Sequence, residues 1–403
     1  MIAHAIRDAL SSQSMIRKMF EEGAALKKQH GPDKVFDFSL GNPDLEPPPA
    51  FHRVFLRLAK EDKKGSHGYM PNAGFSEVRE ALAKKTAAEQ QVDLDGASIV
   101  MSVGAAGALN TIFKAILNPD DEVIVTAPYF MEYRAYVGNY RGILVEAPSG
   151  PGFSLDAAAI ARKLSPKTAA VLINSPNNPT GRIYPPEDLA ALAEVLRGHA
   201  KKTGRAPYLL SDEPYRDLSY GTPVPPVLSA YENAIVASSY SKSLSLPGER
   251  IGFIAVGPAA EEREALLGAL IYATRILGFV NAPALMQRIV AELTLAKVDI
   301  AVYARRRAAF TAILDSSGIE YAKPEGAFYL FVKVPPRKAA PEAAAAVSAA
   351  DDRAFSEHLK RFLILGVPGS GFACPGWIRF AYCVDEKVIH AAGDAFRAAL
   401  AEW

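Results

Sequence analysis

A lysine among hydroxyl residues is the strongest candidate for covalent chemistry in this sequence. Lys242 lies in the segment SYSKSLSLPGERIG, which follows the apolar run AIVAS. A lysine amine becomes a nucleophile when burial or a neighbouring cation disfavours its ammonium form, and Arg250 could supply that cation. The pair predicts attack on a carbonyl beside a bound phosphate. Most lysines are solvated surface residues. The case for Lys242 as a nucleophile therefore depends on the residues around it.

Polar segments follow three apolar runs of the sequence. SPNNPTG follows AAVLIN, DEPY follows YLLS, and SYSK follows AIVAS. Each segment alone has a plain structural explanation as a turn or a helix cap. In an open α/β sheet, however, ligands bind at the carboxyl ends of the strands. The joint order of the three segments therefore predicts one site built from three strand ends.

A phosphate-binding element is recognisable in the segment VGAAGALN. It places small residues between a predicted strand ending at Val103 and a predicted helix beginning near Ala106. Backbone amides at a helix N-terminus bind phosphate. We therefore assign the amides of Ala105 and Ala106 to a phosphate group.

The elements that must position these residues follow an α/β pattern. Short runs rich in Val and Ile alternate with amphipathic helical stretches, which is typical of a mainly parallel sheet covered by helices. After about Pro283 the pattern changes to a long helix and separated strands, which indicates a smaller α+β domain. We predict an N-terminal segment of that small domain at residues 1–48, a large domain at 49–290 and the remaining small domain at 291–403. The alanine-rich stretch from Ala339 to Ala350 is either a loop or the start of a helix.

Composition narrows the class of partner. The 403 residues include 45 basic and 44 acidic side chains, so no strong field attracts nucleic acid or an acidic membrane. Two cysteines, Cys374 and Cys383, give no disulfide framework, and the seven histidines show no metal-binding spacing. No apolar run reaches membrane-spanning length. We expect a cytoplasmic protein with a small-molecule partner, no metal, no nucleic acid and no membrane.

The three polar segments, in this order, resemble the signatures of the aspartate aminotransferase family, which comprises class I/II aminotransferases of fold-type I. The resemblance extends to SLGNPDLEPP, HGYMPNAGFSEVREAL, PEGAFY and WIRFAY, and so covers nearly the whole chain. It implies pyridoxal 5′-phosphate as the cofactor. It also implies a large domain with a mainly parallel seven-stranded sheet and a smaller α+β domain built from both termini.

The resemblance also implies which residues contact the cofactor ring. Lys242 would form a Schiff base with the cofactor and later carry the substrate proton. Asp212 would pair with the ring nitrogen, because a carboxylate favours the protonated form of that nitrogen. Tyr215 and Asn178 would bind the ring hydroxyl, and Phe130 would stack on the ring, where relatives usually have Tyr or Trp.

The cofactor phosphate would be held by the helix amides and three further groups. These groups would be the Ser239 hydroxyl, the Arg250 guanidinium and the Ser241 hydroxyl. Many relatives carry hydroxyl residues at the positions of Gly104 and Ala106. Because these two residues have no side-chain donor, only backbone amides can bind the phosphate at this turn.

Substrate contacts and a partner subunit follow from the same resemblance. Arg379 would hold the substrate α-carboxylate with both guanidinium nitrogens, and the Gly41 amide and Asn178 would bind the substrate as well. Tyr69 would reach the cofactor phosphate of a neighbouring subunit. These assignments imply a homodimer with shared active sites.

The sequence thus predicts an aminotransferase that moves an amino group from an L-amino acid, of aspartate-like or broad specificity, to a 2-oxo acid such as 2-oxoglutarate. A carbon–sulfur β-lyase would share fold, lysine and cofactor. A ligand-sensing module of a transcription regulator would need a DNA-binding domain. Because only about forty residues precede GNPD, we do not expect such a domain.

Overall fold

The computed structural model describes residues 2–4, 6–7, 15–337 and 349–403 of the chain. Its strands are β1 (Phe36–Asp37), β2 (Ile99–Ser102), β3 (Glu122–Ala127), β4 (Ile143–Pro148), β5 (Thr168–Asn174), β6 (Tyr208–Asp212), β7 (Ala234–Ser239), β8 (Gly252–Val256), β9 (Tyr321–Ala322), β10 (Tyr329–Lys333), β11 (Ile364–Leu365), β12 (Val367–Pro368) and β13 (Trp377–Ala381). Its helices are α1 (Met15–His30), α2 (Pro49–Lys60), α3 (Ser76–Gln90), α4 (Gly104–Ile116), α5 (Glu132–Gly138), α6 (Ala157–Ala161), α7 (Pro186–Thr203), α8 (Arg263–Ile276), α9 (Ala284–Glu292), α10 (Ile300–Ser316), α11 (Ala349–Lys360) and α12 (Glu386–Ala401).

A seven-stranded sheet forms the centre of the larger part. Its strand order is β2-β8-β7-β6-β5-β3-β4. All neighbours pair in parallel except β8, which runs antiparallel to both β7 and β2. The predicted mainly parallel, seven-stranded sheet is confirmed. One of its strands, β4, lies in the segment ILVEAP, which the apolar pattern did not single out.

Burial on both faces explains why the central strands read as continuous apolar runs. All seven residues of β5 are buried, and so are all five of β8. Two separate apolar clusters cover the sheet, one containing Leu192 of α7 and the other containing Ile112 of α4. Because helices cover both faces of these parallel strands, their residues do not alternate between apolar and polar.

A smaller part is built from both ends of the chain. Strand β1 pairs in parallel with β11, while β12, β13, β10 and β9 form an antiparallel sheet. This arrangement confirms the predicted α+β unit. The boundaries predicted at residues 48 and 290 stay predictions. Most of the alanine-rich stretch predicted as a loop or helix lies outside the described residues, and α11 begins at Ala349.

An ion pair fixes the segment that follows β1. Both guanidinium nitrogens of Arg306 in α10 donate to the carboxylate of Asp44, at 2.6 and 2.7 Å. Only 7% of the Arg306 side chain is exposed, so water screens the pair weakly. The contact joins the N-terminal segment to the smaller part of the molecule.

Phe310 of α10 is the centre of an aromatic cluster in the smaller part. Its ring lies 4.8 Å from that of Phe38, 5.5 Å from Phe396 and 5.7 Å from Phe380. We expect Phe310→Ala to lower the free energy of unfolding by about 3–5 kcal/mol, because it leaves a cavity in this core. The urea midpoint measures the effect. Leu295→Ala, at a side chain that is 93% exposed, is the control and should change stability by less than about 0.5 kcal/mol.

Candidate active site

Three strand ends of the large sheet meet at a single cavity. The neighbouring parallel strands β5, β6 and β7 end at Asn174, Asp212 and Ser239. All three residues line a cavity of about 360 Å³, a volume that suits a small ligand. The cavity lies at the edge of the sheet where the sequence predicted a site.

The structure places nearly all of the predicted site residues in the wall of this cavity. The wall contains Gly41, Ala105, Ala106, Phe130, Asn178, Asp212, Tyr215, Ser239, Ser241, Lys242, Arg250 and Arg379. Tyr69 is the exception, because it is not part of the wall and is 93% exposed in the single chain.

The amine of Lys242 is held at the cavity wall. Its Nζ donates a hydrogen bond of 2.8 Å to the Gly41 carbonyl and lies 5.5 Å from the centre of the Phe328 ring. Burial lowers the pKa of Lys242 to about 8, and the charges of Arg379 and Arg250 lower it further, against an opposing effect of Cys383. A larger fraction of this amine than of an ordinary lysine is therefore uncharged at neutral pH and able to act as a nucleophile.

The carboxylate of Asp212 has two oxygens in different surroundings. Oδ2 accepts a hydrogen bond of 2.5 Å from the Tyr133 hydroxyl, whereas Oδ1 is buried and has no hydrogen-bond partner among the described residues. Burial raises the pKa of Asp212 to about 7, the Tyr133 hydrogen bond opposes the rise, and Glu213 adds to it. A ligand that donates a hydrogen bond to Oδ1 would therefore satisfy this buried acceptor.

Arg379 projects from β13 into the interior, and 2% of the residue is exposed. One terminal nitrogen donates to Asn178 Oδ1 at 3.0 Å, and the other donates to the Ser39 carbonyl at 2.7 Å. The guanidinium carbon lies 4.6 Å from the Tyr329 ring and 4.8 Å from the Phe372 ring. Among the described residues it forms no ion pair, so a buried positive charge faces the cavity without a counter-ion.

The opposite side of the cavity has the features of an anion site. Helix α4 begins at Gly104, and Ala105 and Ala106 of its first turn line the cavity. Arg250 approaches the same turn so closely that a Cβ on Gly104 would lie 2.9 Å from its Nη2. Gly104 also has a φ of 77°, which favours glycine. The helix N-terminus and the guanidinium thus share one small region.

Sequence reasoning missed several residues of the wall. Tyr133 lies three residues after Phe130 in APYFMEY, and nothing in that segment marks it as a cavity residue. Tyr329 lies in the PEGAFY segment, and its hydroxyl is 2.8 Å from that of Tyr215. Glu132 and Tyr136 also line the cavity, and neither was singled out.

The described residues contain neither a candidate metal-binding cluster nor a membrane-spanning helix. No group of three His, Cys, Asp or Glu side chains among them could hold a metal ion. None of the helices in the described part of the chain is long and apolar enough to cross a membrane.

Comparison with known proteins shows the family. Residues 33–396 match the family described as aminotransferase class I and II. The chain belongs to this family. The aspartate/prephenate aminotransferase of Thermus thermophilus is 32% identical over 375 residues, which cover 92% of this chain and 91% of that protein. The crystal structure of an amino transferase from Eubacterium rectale has a TM-score of 0.93 and 36% identity, covering 100% of this chain and 99% of that one.

A second solved structure has the same fold. It is the aspartate aminotransferase of Thermus thermophilus with maleate, with a TM-score of 0.85 and 27% identity over 99% of both chains. These matches confirm the predicted fold class, and they confirm that the protein is an aminotransferase. The relatives named here are aminotransferases, and none supports the alternative activities considered from the sequence.

The pKa of Lys242 generates a prediction for the protein stripped of small molecules. We expect the rate of acylation of Lys242 by acetic anhydride to be half-maximal near pH 8, because the ammonium form below that pH is unreactive. Peptide mass spectrometry after brief labelling measures the rate. The exposed Lys167, labelled in the same samples, is the internal control. A Lys242 rate that follows Lys167 would contradict the prediction.

Proposed function

We propose that the protein binds pyridoxal 5′-phosphate in this cavity and uses it to move an amino group from an L-amino acid to a 2-oxo acid. The observation that carries the proposal is the placement of a half-buried lysine amine, a buried carboxylate with a free oxygen and a buried arginine around one cavity. Family membership supports the reaction class. The cofactor, the substrates and the residue roles are our inference.

The cavity wall fits the proposed cofactor. Asp212 Oδ1 is a buried acceptor without a described partner, which suits a protonated ring nitrogen. The amides of Ala105 and Ala106, the hydroxyls of Ser239 and Ser241 and the Arg250 guanidinium provide donors for a phosphate. When bound, pyridoxal phosphate forms a covalent bond with an amine and takes up the electron pair released at the substrate Cα.

Each residue of the wall then has a role in the proposed reaction. Lys242 Nζ would hold the cofactor covalently and would serve as the base that takes the proton from the substrate Cα. Asp212 holds the proton on the ring nitrogen. Tyr215 and Asn178 donate hydrogen bonds to the ring hydroxyl, and Phe130 packs against the ring face.

Arg379 and Gly41 orient the substrate in this proposal. The buried guanidinium of Arg379 suits bidentate binding of the α-carboxylate that every amino acid shares. The backbone N–H of Gly41 and the side chain of Asn178 add further hydrogen bonds to the substrate. A Cβ on Gly41 would lie 2.1 Å from the Tyr329 hydroxyl, so a larger residue would displace that wall.

We further propose a homodimer in which Tyr69 contacts the cofactor phosphate of the neighbouring subunit. Its side chain is 93% exposed and lies outside the cavity of its own chain. A cytoplasmic location is also part of the proposal. Its support is that Cys374 and Cys383 are both free thiols, as a reducing compartment favours.

The donor specificity is proposed to be aspartate-like or broad. Its support is that the Thermus thermophilus relative is named for aspartate and prephenate, and that a related solved structure carries maleate. We propose 2-oxoglutarate as an acceptor. A panel of amino donors against 2-oxo acids, read by chromatography of the products, tests both assignments. Conversion of cystathionine to pyruvate without any transamination would instead favour the β-lyase.

Removal of the Lys242 amine tests the central role. We expect Lys242→Ala to lower kcat at least about a hundredfold, because proton transfer by a positioned side chain contributes about 10²–10⁴-fold. The variant should also lose the cofactor–protein adduct that borohydride traps for mass spectrometry. Lys167→Ala, at an exposed position at the other end of β5, should retain both properties. Full activity of Lys242→Ala would remove this residue from the mechanism.

Arg379 generates a prediction about substrate range. We expect Arg379→Ala to raise KM by about thirtyfold or more for every donor, since the lost contact is to the shared α-carboxylate. Arg379→Lys should recover only part of the affinity, because an ammonium lacks the planar fork. Steady-state kinetics with neutral and acidic donors measures the effect. An increase confined to acidic donors would make Arg379 a reader of the substrate side chain.

A further inference from the structure

The hydrogen bond between Tyr133 and Asp212 suggests a role for a residue that the proposed mechanism does not yet use. Tyr133 is 2% exposed, and its hydroxyl lies 2.5 Å from Asp212 Oδ2. This hydrogen bond provides Oδ2 of the carboxylate with a donor. It leaves Oδ1, which is buried and without a partner among the described residues, as the acceptor available to a ligand.

The Tyr133 ring is fixed by two neighbouring aromatic residues. Its centroid lies 6.4 Å from that of Tyr129, with the two planes only 11° apart, and 5.6 Å from that of Phe130, which it meets edge-on. Packing against these two rings therefore restricts the orientation of the Tyr133 ring and, with it, the position of its hydroxyl.

The chemistry of the pair determines the direction of its effect. Burial raises the pKa of Tyr133 well above 10, with a further rise caused by Asp212, so the hydroxyl keeps its proton and remains a donor at neutral pH. A donor to Asp212 stabilises the charged carboxylate against the cost of burial. The other groups that act on Asp212 include Glu213, which raises its pKa. Tyr136 and Tyr215 are also close enough for Asp212 to raise their pKa values.

We propose that Tyr133 is a positioning residue that keeps Asp212 ionised and oriented, with Oδ1 available to the ring nitrogen of the cofactor. The proposal rests on the proposed function, because it assigns Asp212 to that nitrogen. Tyr133 acts through Asp212 and has no assigned contact with substrate. Its hydroxyl sets the pH range over which the carboxylate is ready to bind a protonated ring.

Pyridoxamine phosphate is the appropriate probe, because it carries the same ring but forms no covalent bond with Lys242. Its affinity for the cofactor-free protein is measured by fluorescence titration across a range of pH. In the wild type we expect affinity to fall as the pH drops through the pKa of Asp212, since a protonated carboxyl group no longer pairs with a protonated ring.

The test variant is Tyr133→Phe, which keeps the ring and removes only the hydroxyl. We expect the acidic limb of the affinity profile to move to higher pH, and affinity at neutral pH to fall about tenfold, as for the loss of a hydrogen bond to a charged group. Tyr129→Phe is the matched control, because it removes the hydroxyl of the adjacent stacked ring and should leave the limb in place. A merely structural role would weaken binding without moving the limb.

A double-mutant cycle separates the action through Asp212 from other effects of Tyr133. In an Asp212→Asn background, Tyr133→Phe should change pyridoxamine phosphate affinity by less than about twofold, because the carboxylate on which it acts is gone. An equal loss in both backgrounds would overturn the proposal. So would an unmoved acidic limb, or a Tyr133→Phe protein that fails to fold, since the hydroxyl would then serve folding.

The outcome for the wild type distinguishes this inference from the proposed function. If the wild-type protein binds neither pyridoxamine phosphate nor pyridoxal phosphate, the proposed function fails and the assignment of Tyr133 fails with it. If the wild type binds both and the Tyr133→Phe profile equals that of the wild type, the role of Tyr133 alone is refuted.

Discussion

The buried charge of Arg379 is the interaction on which the arrangement of the site depends. A guanidinium that is 2% exposed would be strongly destabilising without compensation. The compensation comes from three separate parts of the chain, through the Ser39 carbonyl, the Asn178 amide oxygen and the rings of Tyr329 and Phe372. Because none of these groups is an anion, they hold the cation in place while leaving its charge available for a carboxylate. The same contacts join the N-terminal segment, the large sheet and the smaller sheet at one point.

The pKa values of Lys242 and Asp212 are shifted in opposite directions. Burial disfavours charge on both Lys242 and Asp212, lowering the pKa of the amine to about 8 and raising that of the carboxyl group to about 7. Both groups therefore titrate close to neutral pH, where each changes protonation state readily. Perturbed groups of this kind cluster at functional sites. The Gly41 carbonyl and the Tyr133 hydroxyl then provide the specific contacts that burial alone does not.

Three residues of the cavity wall could be predicted from the sequence because they follow neighbouring parallel strands. Lys242, Asp212 and Asn178 come directly after buried apolar runs, so their convergence follows from sheet topology. Arg379 required the family resemblance. An arginine between Ile378 and Phe380 reads equally as a surface residue of an edge strand, and only the tertiary structure shows that it points inward. Strand β4 was missed because half-exposed positions such as Ile143 and Glu146 weaken its apolar pattern.

Tyr133 shows why the remaining residues needed coordinates. In the sequence it is one tyrosine among several in APYFMEYRAY, and burial in an aromatic cluster explains such a residue equally well. What distinguishes it is a single hydroxyl-to-carboxylate contact across a gap of 79 residues. A hydrogen bond of this kind leaves no periodic pattern in a sequence, since it depends on the angle between a helix and a strand end. Yet it acts on Asp212, the residue that we propose pairs with the ring nitrogen of the cofactor. Residues that adjust the pKa or orientation of a site residue are therefore harder to predict than residues that follow strand ends. Strand ends can be recognised in the sequence, whereas a contact such as this one depends on the distance between two side chains in the folded chain.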